Sequence, residues 1–208
     1  MRMTKIATAA ALALSLSGCG YNQIQQLDER AEQAKSNIGV ELTARNQLIP
    51  NMVATVKGAA EFERGTNVDV ARARAGQRVA AAEAQLNQAQ QQTRAAVESK
   101  DVQQLQTAEA AQTRAIGTYL NLAVEAYPNL RATQNFQGLQ DQLAESENRI
   151  ATARRDYNEA VRGYNSYIRQ FPQAITAKIT GAQRKQPYQA PAGSEQAPTV
   201  DFSTDAKQ

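Results

Sequence analysis

The fold of this chain is decided by residues 133–171, which read TQNFQGLQDQLAESENRIATARRDYNEAVRGYNSYIRQF. One residue in seven is large and apolar throughout this stretch, at Phe136, Leu143, Ile150, Tyr157, Tyr164 and Phe171. A second set follows three positions behind, at Leu139, Ser146, Ala153, Ala160 and Tyr167. This spacing is typical of a helix packed along its length against other helices, because about 3.5 residues per turn keep one seam facing the neighbours. We expect the helix to end at Pro172.

Three further helices precede this one. Apolar residues at helical spacing predict them over residues 22–64, 68–98 and 102–126. The turn signals between the helices are Gly65-Thr66-Asn67, Ser99-Lys100-Asp101 and Tyr127-Pro128-Asn129. Short turns between four long helices favour an all-α, antiparallel up-and-down four-helix bundle over residues 19–180. In an alternative arrangement, the first and last helices form an extended coiled-coil pair that projects beyond the two shorter ones.

Composition excludes several classes of site. The 208-residue chain has no His and one Cys, so metal, haem and triad sites built on His or Cys are excluded, and we expect no cofactor and no metal. The 23 Lys and Arg include Arg2 and Lys5 of a segment that we expect to be removed, which leaves 21 against 20 Asp and Glu. No basic stripe remains in the mature chain, so nucleic acid is not an expected partner.

Residues 1–18 are predicted to be a lipoprotein signal peptide. Arg2 and Lys5 precede an apolar run at residues 6–16 that is too short to span a bilayer. The run ends in Leu16-Ser17-Gly18-Cys19, which resembles the lipobox, so acylation (palmitate among the chains) is expected at Cys19. The alternative is a free thiol near an ordinary cleavage site. Gly20, where Asp would favour inner-membrane retention, favours the outer membrane, with the protein facing the periplasm or exterior.

The end of the chain differs in composition from the rest. From Gly181 onward the sequence is rich in Gln, Pro, Ala and Ser, and it includes Pro187, Pro191 and Pro198. Such a composition contains too little apolar surface to support a packed core. Residues 181–208 are therefore predicted to be a disordered tail.

Long motifs in both halves of the chain resemble the LemA family. In the first half they are RNQLIPNMV at residues 45–53, VKGAA at 56–60 and ARAR at 71–74. In the second half they are EAYPNL at 125–130, ENRIA at 147–151, RRDYN at 154–158 and VRGYN at 161–165. The resemblance implies an all-helical, membrane-associated protein of the bacterial envelope, in a family with no established reaction. Two features depart from the family pattern: a lipobox replaces the usual transmembrane helix, and Ala182 and Gln189 stand where aromatic residues are usual.

Charged residues in the last helix are the first candidate site. Glu147-Asn148 and Arg154-Arg155 lie at the edge of the seam, and Arg45 falls on the apolar stripe of the first helix. If the two helices are neighbours, these residues form a partly buried Arg–Glu network. We favour a network that fixes helix register over a catalytic role, because ion pairs in helical seams commonly have that effect.

A second candidate site combines two Asn–Tyr pairs. Asn158 and Asn165 share one face of the helix, and each follows a seam tyrosine, Tyr157 or Tyr164. The asparagines could form a ligand shelf. The structural interpretation places the tyrosine rings in the core and their hydroxyls at the bundle edge.

Two functions are compatible with these observations. The favoured one is a non-enzymatic, lipid-anchored interaction or scaffold protein, which binds an envelope protein through exposed helix faces and the tail. The alternative is a binder of a small molecule or peptide, with a pocket between Pro50, which should kink the first helix, and the corner at Tyr127-Pro128.

Overall fold

The computed structural model describes the backbone of residues 2–64 and 70–189 and the side chains of residues 20–62 and 73–189. Every regular element in these ranges is helical, as the sequence predicted. The elements are α1 (Arg2–Arg64), α2 (Val70–Ser99), α3 (Val102–Ala126), a 3₁₀ helix (Pro128–Ala132), α4 (Gln134–Tyr167) and α5 (Gln173–Thr180).

The described residues form two compact units. The four-helix unit takes in the chain from Gly39 to Ala151 and therefore contains parts of α1 and α4 with all of α2 and α3. The three-helix unit takes in α1 up to Ile38 together with Thr152–Tyr188, which includes the rest of α4 and α5. The all-α fold that the sequence predicted is confirmed, and the four-helix unit holds all or part of each of the four predicted helices.

One apolar core fills the four-helix unit. All four of its helices and the 3₁₀ helix contribute buried side chains, among them Met52, Leu86, Tyr119, Leu130 and Phe136. Helix α2 contributes mostly small residues, with Ala82 and Ala89 on either side of Leu86. Small side chains allow close approach of the helix backbones, so the core depends on the larger residues of α1, α3 and α4.

The described turns of the four-helix unit follow the sequence signals, whereas the predicted turn at Gly65-Thr66-Asn67 lies outside the described residues. Asp101 caps α3, since its carboxylate accepts a hydrogen bond from the Gln104 N–H at 2.8 Å. Thr133 caps α4, where its hydroxyl accepts from the Phe136 N–H at 3.3 Å. Because only Lys100 and Asp101 separate α2 from α3, these two helices run antiparallel.

The seam of α4 is buried as predicted over most of its length, and its burial pattern shifts toward the C-terminus. Phe136, Ile150, Tyr157 and Tyr164 are all buried. In the last two turns the second set moves by one position, so that Val161 and Ile168 are buried (1% and 6% exposed) while Ala160 and Tyr167 are half-buried. A helix with 3.6 residues per turn drifts by about 20° per heptad from a strict seven-residue pattern, which accounts for the shift.

The helix also ends earlier than the seven-residue pattern predicted. It ends at Tyr167 and not at Pro172, and Phe171, the last residue of the pattern, is 84% exposed. Placing Phe171 in the seam was therefore wrong. Once α4 has ended, the chain turns into α5, and Ile168, the first residue after α4, packs in the core of the three-helix unit.

Pro50 does not end α1. The helix continues through it, and Ile49 and Met52 on either side are buried (1% and 0% exposed). From the proline onward the buried stripe includes Ile49 and Ala60, whereas the neighbouring Leu48 and Ala59 are half-buried. Arg45 and Asn46, one turn before the proline, are also in the interior, where both are nearly inaccessible to solvent.

Both predicted terminal segments lie partly outside the described residues. The backbone of residues 2–18 continues α1, but the side chains of the predicted signal peptide and of Cys19 are outside the described part. Of the predicted tail, residues 181–189 are described and residues 190–208 are not. Gly181 ends α5 in the left-handed conformation (φ 71°), and the chain continues as a C-terminal segment, residues 182–189, without helix or strand.

Candidate functional site

Arg45 is the centre of a buried polar network in the four-helix unit. Its side chain is 3% exposed, and its guanidinium donates from Nε to Gln112 Oε1 at 2.7 Å. Nη1 donates to Thr113 Oγ1 at 3.2 Å and to Glu147 Oε2 at 2.8 Å, and Nη2 reaches the Glu109 carbonyl at 3.5 Å. Arg45 therefore joins α1 to both α3 and α4. The predicted Arg–Glu pair is present, with a planar fork that suits several acceptors at once.

The network continues through Asn46 to α2. Gln112 Nε2 donates to Asn46 Oδ1 at 2.8 Å, and Asn46 Nδ2 donates to the Gln90 carbonyl at 3.2 Å. In return Gln90 Nε2 donates to the Asn46 carbonyl at 3.0 Å. That carbonyl is four residues before Pro50, whose ring nitrogen carries no hydrogen, so it has no helical donor. Gln90 supplies the donor that the proline removes.

A second, more exposed ion pair flanks the network. Glu41, one turn before Arg45, lies 3.5 Å from Arg149 Nε. Ser146, next to Glu147, is 1% exposed, and its hydroxyl has no hydrogen-bond partner among the described residues. A buried guanidinium held by four acceptors is strongly constrained. Four contacts from one buried side chain to α3 and α4 are the geometry expected of a network that holds helices in register.

The second site is a clamp in the three-helix unit, formed by Asn158 and Asn165 on α4. Asn165 Nδ2 donates to the Lys185 carbonyl at 2.8 Å, and the Lys185 N–H donates to Asn165 Oδ1 at 2.9 Å. Asn158 makes the same pair of bonds with the Tyr188 backbone, at 2.9 and 2.7 Å. Between them, the Tyr157 hydroxyl donates to the Gln186 carbonyl at 2.8 Å. We call this arrangement the asparagine clamp.

The spacing of the clamp requires an extended segment. Seven helical residues from Asn158 to Asn165 rise by about 10 Å, and three fully extended residues from Lys185 to Tyr188 also span about 10 Å. The segment therefore runs antiparallel to α4 in a nearly extended conformation, and each asparagine pairs with the backbone of one residue. The face on which the sequence suggested a ligand shelf binds main chain, and the main chain is this protein's own C-terminal segment.

Lys185 adds side-chain contacts to the clamp. Its ammonium group lies 2.6 Å from Glu32 Oε1 and 3.2 Å from Asp28 Oδ1, both on α1. It also lies 5.4 Å from the centroid of the Tyr164 ring. The C-terminal segment is thus held by α4 through its backbone and by α1 through one cation.

Burial and charge act in opposite directions on this cluster. Burial lowers the pKa of Lys185, but hydrogen bonds to Glu32 and Asp28 outweigh it, so that its pKa is raised. Burial raises the pKa of Glu32, but the hydrogen bonds from Lys185 and Lys35 outweigh it, so that its pKa is lowered. Burial raises the pKa of the Tyr164 hydroxyl. The shifts of Lys185 and Glu32 favour the charged carboxylate–ammonium pair at neutral pH, and the shift of Tyr164 keeps its hydroxyl neutral.

The Arg45 network and the asparagine clamp both lie in the part of the chain that matches a known protein family. The family model described as the LemA family matches residues 34–202. The chain belongs to the LemA family. The match takes in the Arg45 network, the asparagine clamp and the C-terminal segment. Membership supports association with the bacterial envelope, as the sequence motifs implied.

Two curated relatives share part of this LemA-family chain. They are magnetosome proteins MamQ 1 and MamQ 2 of Paramagnetospirillum magneticum (strain ATCC 700264 / AMB-1). Each is 40% identical over 75 residues, which is 36% of this chain and 28% of the relative. The chain thus matches little more than a quarter of the length of these relatives.

Within its described residues, this LemA-family protein has no helix long and apolar enough to cross a membrane. The same residues include no group of three or more His, Cys, Asp or Glu that could hold a metal ion.

The remaining predicted site residues are on α4 and α1. Asn148, next to Glu147, is exposed in the four-helix unit. Arg154 and Arg155 belong to the three-helix unit, where Arg154 is half-buried. Arg155 is exposed and donates to Thr152 Oγ1 at 3.0 Å. Cys19, the predicted lipidation site, lies outside the described side chains.

Sequence reasoning missed Asn46, Gln90 and Gln112. Gln112 is on the apolar stripe of α3, between Ala108 and Ala115, and is 0% exposed. The sequence could have identified Gln112, because it is a polar residue at a position where the stripe requires an apolar one. The same reasoning identified Arg45. Gln90 carried no such signal, because its role follows from the carbonyl that Pro50 leaves without a donor on another helix.

The residues around the predicted pocket contribute to the core of the four-helix unit. Ile49 and Met52, next to Pro50, belong to the same apolar cluster as Leu130, just after Tyr127-Pro128. Tyr127 is half-buried and packs against that cluster. No contact among the described residues singles out this region as a ligand site.

Proposed function

We propose that this LemA-family protein is a lipid-anchored, non-enzymatic interaction protein of the bacterial envelope. The observation that carries the proposal is the position of the single cysteine. Cys19 ends the lipobox-like Leu16-Ser17-Gly18-Cys19 and directly precedes Gly20, where the described side chains of α1 begin. Acyl chains on Cys19 hold the folded chain at a bilayer, and more than one chain is needed for stable anchoring.

The interaction role is supported by the way in which the chain uses its polar groups. Arg45 and Glu147, the residues most typical of a reactive site, are engaged in contacts between helices. Surface residues remain for recognition. Val40 and Phe62 on α1 are 60% and 82% exposed, so their apolar side chains are accessible for contact with an envelope protein.

The anchor is tested by the processing of Cys19. The full-length chain should be acylated and should fractionate with membranes, the outer membrane in cells that have one. Globomycin should cause accumulation of the uncleaved precursor. Cys19→Ser is the matched control and should show neither acylation nor globomycin sensitivity. A mature wild-type form that is free in periplasmic extract would contradict the anchor.

The interaction role is tested by site-specific crosslinking from the anchored protein in cells. A photoreactive residue at Phe62 should yield a reproducible adduct with one envelope protein. The control is the same residue at Asn87, an exposed polar position on α2. Equal adducts from both positions, or none from either Phe62 or Val40, would contradict recognition through these apolar residues.

A further inference from the structure

An exposed apolar patch lies on and before α5. Ile175 and Ile179 are four residues apart on one face of this helix and are 54% and 80% exposed. Phe171 precedes the helix, within a turn that the Ala174 N–H closes on the Gln170 carbonyl at 2.6 Å, and is 84% exposed. The inward-facing residue is small: Ala177 is 4% exposed and packs with Ile24, Tyr164 and Ile168. Helix α5 therefore buries a small residue and presents its large ones to the outside, the reverse of an ordinary surface helix.

Helix α5 is adjacent to the residue that follows Cys19. Gly20 is buried, and a Cβ atom built on it would lie 3.7 Å from both Gln173 Cγ and Thr176 Oγ1. Gln173 and Thr176 are both on α5. Within the three-helix unit, the helix with the exposed apolar face is thus in direct contact with the first residue after the proposed acylation site.

The charge of this region suits a bilayer surface. Residues 160–189 include five Lys and Arg and no Asp or Glu. Lys185 is engaged by Glu32 and Asp28, whereas Arg169, Lys178 and Arg184 are exposed. Basic residues beside an apolar face are typical of segments that lie in the headgroup region of membranes with anionic lipids.

We propose that Phe171, Ile175 and Ile179 form a second membrane contact, inserted at the surface of the bilayer that holds the acyl chains of Cys19. The proposal rests on the lipid anchor proposed above. A lipid surface is the favoured occupant because the acylated residue brings α5 to the membrane before any other partner can reach it. Once the acyl chains are inserted, insertion of α5 is an intramolecular step at high effective concentration. The second contact fixes the orientation of the three-helix unit on the membrane.

The test uses tryptophan fluorescence, since the chain has no native Trp. Phe171→Trp and, as a control, Phe62→Trp are made in the acylated full chain, at two phenylalanines of matched exposure (84% and 82%). Each variant is reconstituted in vesicles of phosphatidylethanolamine and phosphatidylglycerol that contain brominated acyl chains. The residue at 171 should show blue-shifted emission and at least threefold stronger quenching than the residue at 62. Adding Ile175→Ser and Ile179→Ser should reduce the quenching at 171 to the control value.

Three results would overturn the proposal. In the first, quenching at 171 equals that at 62 although mass spectrometry and vesicle flotation show an acylated, bound protein; the anchor then stands and the second contact fails. In the second, the emission at 171 is blue-shifted without quenching and the protein elutes as a dimer, so a second copy of the chain covers the face. In the third, the protein is neither acylated nor bound to vesicles, which refutes the anchor itself and with it the contact that depends on it.

Discussion

The Arg45 network and the asparagine clamp both join separate segments of the chain through hydrogen bonds, but the bonding partners differ. In the four-helix unit, side chains from different helices satisfy one another, with Arg45 bonded to Gln112 at 2.7 Å and to Glu147 at 2.8 Å. In the three-helix unit, Asn158 and Asn165 satisfy the backbone of another segment. Side-chain networks specify which helices meet and in what register. The asparagine bonds themselves require only an extended backbone, and the side chain of Lys185 adds the contacts that depend on the segment's sequence.

The difference predicts different tolerance to mutation. Each group in the Arg45 network depends on its partner, and a buried partner left alone cannot recover a bond from water. The backbone groups bound by the clamp are only partly buried, so water can replace a lost asparagine. We therefore expect substitutions in the network to reduce the free energy of unfolding by more than substitutions in the clamp.

The largest effect is expected for Arg45→Ala. The substitution leaves Gln112 and Glu147 without their donor in the interior, and breaking a buried pair in this way typically costs about 3–5 kcal/mol. Urea unfolding followed by circular dichroism measures the loss. Arg155→Ala, at an exposed arginine of α4, is the control and should change stability by less than about 0.5 kcal/mol. Equal losses of stability in the two variants would contradict the high cost of breaking the network.

Glu147→Gln separates charge from shape in the same network. The amide keeps the volume and one acceptor for Arg45 Nη1 but removes the negative charge. Because the Glu147 side chain is 20% exposed, we expect a smaller loss than for Arg45→Ala, of about 1–2 kcal/mol. The urea midpoint measures it, and an unchanged midpoint would mean that Glu147 belongs to the solvated surface.

Substitution of the clamp asparagines should act locally. Asn165→Ala removes two hydrogen bonds to Lys185, at a cost of about 1–3 kcal/mol to the docking of the C-terminal segment. Amide hydrogen exchange should accelerate at Lys185 more than at Tyr188, and Asn158→Ala should show the opposite order. The control Asn87→Ala should change neither rate. Equal acceleration at both amides in each variant would mean that the segment undocks as one body.

The sequence predicted the network better than the clamp, for a physical reason. Arg45 was identifiable because a charge on an apolar stripe conflicts with the hydrophobic pattern, and the pattern also located the helix that faces it. Asn158 and Asn165 were identified as one face, but their ligand was not, since an amide that binds backbone leaves no signature in the sequence that it binds. Residues 181–189 have the composition of a disordered tail. Tyr188, which is 4% exposed, is the buried apolar residue that sets this segment apart from such a tail.

Helix ends show the same limit. The seven-residue pattern predicted α4 through Phe171, and the helix ends at Tyr167. Periodicity reports where a helix could be buried, whereas its end depends on what the next segment packs against. Here Ala177 of α5 reaches the core that Phe171 was expected to fill.

Acid pH should weaken the Glu32–Lys185 ion pair at the clamp, with a smaller loss of stability than the substitutions above. The pKa of Glu32 is lowered in the folded chain, so between its folded value and the ordinary 4.5 the unfolded chain binds more protons and stability rises with pH. The contribution is fully present above about 4.5 and is lost as the pH falls through the lowered value. Since the Glu32 side chain is 40% exposed, it should be below about 1 kcal/mol. Urea midpoints from pH 3 to 7 should therefore show a steeper acid limb for the wild type than for Lys185→Met, and parallel limbs would contradict the coupling.

The smallest changes in stability are expected for two Tyr→Phe substitutions, one in each unit. Tyr119, in the four-helix unit, is 0% exposed, and its hydroxyl has no hydrogen-bond partner among the described residues. Burial raises its pKa well above the ordinary value, which keeps the hydroxyl neutral. Tyr119→Phe removes an unsatisfied polar group, so stability should stay the same or rise by up to about 1 kcal/mol.

Tyr157→Phe is the matched substitution in the clamp, where it removes the bond to the Gln186 carbonyl and should cost about 1 kcal/mol. Opposite signs for the two Tyr→Phe changes in urea unfolding would support the comparison. If Tyr119→Phe were the more destabilising, its hydroxyl would have a partner such as bound water, and the interior of the four-helix unit would be more polar than its side-chain contacts indicate.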